Sequence, residues 1–76
     1  MVVYVFRPEK LKSRREEFNM TFRELGEKSG VDYSSIARIE KGDREPGANA
    51  IGALAGALGV SPNYFYEKKK KEEGKK

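Results

Sequence analysis

Few side chains of this chain can do chemistry, and those that can lie close together. In YSSIARIEK, residues 33–41, Ile36 and Ile39 share a face at helical spacing with Glu40 beside them. Tyr33, Ser34, Ala37, Arg38 and Lys41 are left facing outward. Arg38 has the clearest chemistry, a planar and always charged fork that can hold two acceptors together. Ser34 can donate or accept a hydrogen bond. Tyr33 offers a ring and a hydroxyl, and Ala37 leaves room or presents a methyl group. This is equipment for recognition. Histidine and cysteine are both absent, which removes disulfides, thiol chemistry and the usual zinc sites. No nucleophile–base pair or phosphate loop stands in the sequence, and the carboxylates are scattered among lysines. The expectation is no enzyme, no metal, no cofactor and no small-molecule ligand.

Arg15 and Glu40 stand where apolar residues are due. Leu11, Arg15 and Phe18 fall on one face at i, i+4, i+7, and Glu40 lies beside Ile36 and Ile39. A charge on an apolar face needs a partner. Each is explained if the two pair with one another, tying the first helix to the third. The alternative is two snorkelling side chains that never meet.

The elements that position these residues are two short helices joined by a tight turn, Thr21 to Gly42. Thr21 is a good N-cap, and Glu24 three residues later completes a capping box. Leu25 and Ser29 continue one face of that helix. Gly30 can take the left-handed conformation that ends it. Val31 is a buried turn residue by its apolar character, and Asp32 caps the next helix. Gly26 falls where the two helices must pass closely, so a small residue is required there.

In its order of Leu25-Gly26, Gly30-Val31, Ile36, Ile39-Glu40, Gly42 and Pro46, the chain resembles the Cro and phage-repressor (XRE-like) helix-turn-helix family. The similarity runs from Leu11 to about Tyr66. It implies that the first helix of the pair crosses the DNA backbone and the second enters the major groove. The family's base contacts map onto Tyr33, Ser34 and Arg38, and Ala37 beside them leaves room and could touch a methyl group. Arg38 would bond O6 and N7 of one guanine, the alternatives being a salt bridge to Asp43 or a plain phosphate contact. Thr21, Phe22, Arg23, Lys41 and Arg44 would be DNA backbone contacts. The resemblance also implies the bridge between Arg15 and Glu40. Two positions depart from the family. Gly26 replaces its usual alanine, and Phe22 replaces a glutamine that would bond a phosphate. Phe22 covers the edge of the core or touches sugar carbons, leaving the backbone amides at this helix start to bind phosphate.

The flanks follow the same logic. Met1 to Phe6 (MVVYVF) is apolar and β-prone but too short to be a strand alone. It is expected as an arm packed on the helical core, or as a strand paired with its copy in a second subunit. Pro8 opens helix 1, which runs to Phe18, and Met20 lies in the core. Asp43 to Gly47 is a turn. Ala48 to Leu58 is helix 4, with Ile51, Leu54, Ala55 and Leu58 as its core stripe. Gly52 and Gly56 would permit a close neighbour. Ser61 and Pro62 start helix 5, Pro62 to about Glu67, in which Phe65 enters the core. Tyr64 and Tyr66 stay partly exposed, as a dimer contact would.

At 76 residues the chain is one small domain. Its formal net charge is +4, but residues 1–66 carry only +1 and residues 67–76 carry +3. Global basicity is therefore weak evidence for nucleic acid, and the helix pair has to carry the claim. No apolar run reaches the length of a membrane span and no signal-peptide pattern is present, so a cytoplasmic location without membrane contact is expected. The expected architecture is all-α, a compact five-helix lambda-repressor-like domain. Residues 1–7 form the arm, 8–67 the helix-turn-helix domain and 68–76 a charged disordered tail. The expected role is sequence-specific binding of double-stranded DNA by a homodimeric transcriptional regulator, a repressor. A protein–protein adaptor or antitoxin built on the same fold is the alternative.

Overall fold

The computed structural model describes residues 2–70. Four α-helices, a single 3-10 turn and a two-stranded sheet follow one another as β1 (Val2–Phe6), α1 (Pro8–Glu17), α2 (Phe22–Ser29), α3 (Tyr33–Lys41), α4 (Ala48–Leu58), the turn Pro62–Phe65 and β2 (Tyr66–Lys70). The local signals place the helix ends. Pro8 sits in the first turn of α1. Thr21 and Glu24 form a reciprocal capping box at α2. Asp32 caps α3 by accepting from the amides of Ser34 and Ser35. Gly30, Gly42 and Gly59 end α2, α3 and α4 in the left-handed conformation.

The core is one cluster of Phe6, Leu11, Leu25, Ile36, Ile39, Ile51, Leu54, Ala55, Leu58 and Phe65. α2, α3 and α4 thus bury the apolar residues their spacing defines, α1 adds Leu11 alone, and Met20, Phe22 and Val31 pack around the rim. Arg14 clips α1 to the end of α4 by donating from Nε to the Leu58 carbonyl at 3.1 Å. Phe18 is not a core residue. It follows the last turn of α1, is 48% exposed, and lies under the Arg14 guanidinium. Gly52 and Gly56 face open space, and among the described residues no neighbour uses the approach they would permit.

The chain departs from all-α at its two ends. The expected fifth helix is only the turn Pro62–Phe65, after which Tyr66 adopts extended geometry. Tyr66–Lys70 then runs antiparallel to Val2–Phe6, in register from Phe6 opposite Tyr66 to Val2 opposite Lys70. The N-terminal segment is therefore a strand, paired with a distant part of its own chain. Lys68 to Lys70, expected in a disordered tail, belong to β2. Strand pairing bonds the Lys69 backbone to Val3, while the Lys68 and Lys69 side chains stay in water. The rest of that tail, residues 71–76, lies outside the described residues.

Candidate nucleic-acid interface

α3 is held from behind by Ile36 and Ile39, fully buried, and by a charged clamp. Arg15 Nε donates to Glu40 Oε2 at 2.7 Å, and its Nη2 donates to Oε1 at 3.0 Å. The two side chains are 11% and 4% exposed. Arg15 Nη1 also donates to the Met20 carbonyl at 2.6 Å. The hydrogen bond to the Glu40 carboxylate raises the Arg15 pKa above its already high ordinary value, against the opposing effect of burial. Phe22 closes this clamp, its ring lying 4.3 Å from the guanidinium carbon of Arg15. One bidentate pair and one ring therefore lock α1, α2 and α3 together, which fixes the tilt of α3.

With its inner face fixed, α3 presents Tyr33, Ser34, Arg38 and Lys41 to solvent, with Ala37 half-buried among them. Among the described residues no carboxylate lies within ion-pairing distance of Arg38, so its fork is not committed to Asp43. Ser34 is committed in part. Its hydroxyl donates to the Asp32 carboxylate, which leaves its lone pairs as the outward-facing function. That bond, with the amides of Ser35 and Ser34, holds the Asp32 carboxyl below the usual carboxylate range.

Tyr33 is coupled to α2. Arg23 lies over its ring at 4.5 Å and donates from Nη2 to its hydroxyl at 3.2 Å. The approach depends on Gly26, where an added Cβ would sit 2.9 Å from the Val31 carbonyl oxygen and 3.4 Å from Tyr33 Cβ. A shallow hollow of about 200 Å³, lined by Arg23, Gly26, Glu27, Val31 and Tyr33, marks this junction. Arg44 bends back to α3 and donates to the Ser35 hydroxyl at 3.2 Å. Thr21 stands at the exposed start of α2 with its hydroxyl used in the cap. The structure thus gathers Tyr33, Ser34, Ala37, Arg38, Lys41 and Arg44 on or beside α3, with Arg23 reaching them from α2.

Tyr64 and Tyr66 lie elsewhere. Tyr64 is 38% exposed and packs edge-on to Phe65, while the half-buried Tyr66 packs edge-on to Phe6 within the ribbon. The couplings of Arg23 with Tyr33 and of Arg44 with Ser35 were not readable from spacing. The one sequence signal for the first is Gly26, whose lack of a side chain announces a close approach.

The helix-turn-helix family model HTH_3 matches residues 11–65. The uncharacterized HTH-type transcriptional regulator y4wC of Sinorhizobium fredii is 37% identical over 59 residues, covering 78% of this chain and 41% of that protein. Its companion y4aM from the same organism is 37% identical over 65 residues, covering 86% and 44%. The chain therefore spans about two fifths of the length of these relatives. Among solved structures, the P22 c2 repressor in complex with synthetic operator 9T superposes with a TM-score of 0.75 at 30% identity, over 80% of this chain and 92% of that one. The restriction-modification controller protein C.AhdI from Aeromonas hydrophila gives 0.73 at 28% identity, over 76% and 88%.

Proposed function

The chain belongs to the helix-turn-helix family matched over residues 11–65, and from that membership we propose that it binds double-stranded DNA as a sequence-specific transcriptional regulator, a repressor acting in the cytoplasm. The observation that carries this reading is the orientation of α3. Its apolar side is buried, its tilt is fixed by the Arg15–Glu40 clamp, and its hydrogen-bonding side is exposed. Such a helix can lie in the major groove with its first turns at base edges.

In this reading Arg38 grips one guanine through O6 and N7. Ser34 accepts from the exocyclic amine of an adenine or cytosine, Ala37 makes room for a methyl group, and Tyr33 reaches the edge of the site. Arg23, Lys41 and Arg44 hold phosphates, while Thr21 and Phe22 contribute the amides at the start of α2. The Phe22 side chain is spent on the clamp. A homodimer would bind two half-sites about one helical turn apart.

Selection from a random duplex pool tests this, run in parallel with wild type and Arg38→Ala. Wild type should enrich a motif with one guanine per half-site that Arg38→Ala no longer requires. Arg38→Ala should weaken binding to that motif by about 1–3 kcal/mol. An equal loss on all sequences would make Arg38 a phosphate contact. No enrichment by wild type would favour the adaptor or antitoxin reading, which the small net charge of residues 1–66 leaves in play.

A further inference from the structure

The homodimer proposed above has no surface assigned to it, and the ribbon supplies one. The Arg7 amide donates to the Phe65 carbonyl at 2.8 Å, one step beyond the Phe6–Tyr66 pair. Antiparallel ladders alternate hydrogen-bonded and non-hydrogen-bonded pairs. The amides and carbonyls of Val3 and Val5 therefore point at β2, and those of Val2 and Tyr4 point away from it. Among the described residues no strand lies on that outer edge of β1, since the sheet has two strands. The side chains beside it are unusually bare, with Val2 50% and Tyr4 67% exposed.

We propose that the outer edge of β1 pairs antiparallel with the same edge of a second copy, making a four-stranded sheet in the order β2-β1-β1-β2. Charge selects this edge. β1 carries no charged residue from Val2 to Phe6, whereas β2 carries Glu67 and three consecutive lysines. Lysines on an edge strand oppose self-pairing, because a second copy would set like charges against each other. Register selects Tyr4. A two-fold axis through Tyr4 sets it opposite the partner's Tyr4 and sets Val2 opposite the partner's Phe6. The amides left open at Val2 and Tyr4 then become a reciprocal ladder. Each bare side chain gains an apolar neighbour. The partner is thus a second copy of this chain, joined edge to edge.

Tyr4 also gives a clean test. Its amide points away from β2, so Tyr4→Pro removes a bond to the partner and none to β2. Tyr4→Lys adds a charge at the two-fold axis. Sedimentation of the full chain, without DNA, should show wild type as a dimer at tens of micromolar. Both variants should move toward monomer by at least about tenfold in Kd, with unchanged helical circular dichroism, and Tyr64→Ala should behave as wild type. A dimer that persists undiminished in both Tyr4 variants would overturn this surface while leaving the dimer standing. Wild type that stays monomeric with and without its selected DNA would overturn the dimer and the surface together. If a variant loses its fold, amide exchange in wild type decides. Protection of the Tyr4 amide that grows with concentration supports the pairing, and an amide exchanging as freely as one in open water refutes it. Because no DNA is used in the primary comparison, the result is separate from the reading of α3.

Discussion

Glu40 places a carboxylate among isoleucines, and a single guanidinium neutralises it at 2.7 and 3.0 Å. Removing one partner strands the other charge at a site where both side chains are largely out of water. Glu40→Ala is therefore expected to destabilise the fold by about 3–5 kcal/mol, read from denaturant unfolding. Part of that loss belongs to the stranded Arg15 and not to the bond itself. The cycle completed by Arg15→Met and the double variant separates the two. A coupling energy near zero would mean that the clamp does not act as a pair. This pair was legible in the sequence because each residue breaks an apolar stripe at a helical spacing. The part played by Phe22 was not. Nothing in its neighbours reveals that its ring would cover Arg15, since that contact depends on how α1 and α2 cross.

At the scale of elements, the junction of α2 with α3 turns on Gly26. Alanine there would improve helix propensity by about 1 kcal/mol. It would also push a methyl group to 2.9 Å from a backbone oxygen, an overpacking that costs about 1–3 kcal/mol. Gly26→Ala should thus lower stability by up to about 2 kcal/mol and displace Tyr33 from Arg23. A melting temperature at or above that of wild type would show that the turn yields freely. The helices themselves were readable, because caps and left-handed glycines are local signals and apolar spacing is short-range. The sheet was not. Val2–Phe6 has strand composition but no nearby partner, and the lysines of β2 read as a solvated tail until a strand some 60 residues away pairs with them. The same tertiary pull, with a four-residue start at Pro62, reduced the expected fifth helix to a single turn.

For the whole molecule, the small net charge of residues 1–66 limits how much affinity can come from the field alone. Arg23, Lys41 and Arg44 provide three candidate phosphate contacts per protomer, or six in a dimer. The slope of log K against log salt should then be about −5, measured by titrating the selected site at several salt concentrations. A slope near zero would refute the phosphate assignments. A slope near −10 would bring in further cations, the exposed Lys68 and Lys69 first. The ribbon bears on the molecule in another way. As a piece of polymer physics, the pairing of Val2–Phe6 with Tyr66–Lys70 is a ring closure whose loop is the entire helical bundle. The entropy of closing such a ring falls as the chain between its ends is shortened. Folding the four helices does that shortening, so the bundle prepays most of the closure. Each end of the described chain is then anchored through the other, and release of either strand sets both free.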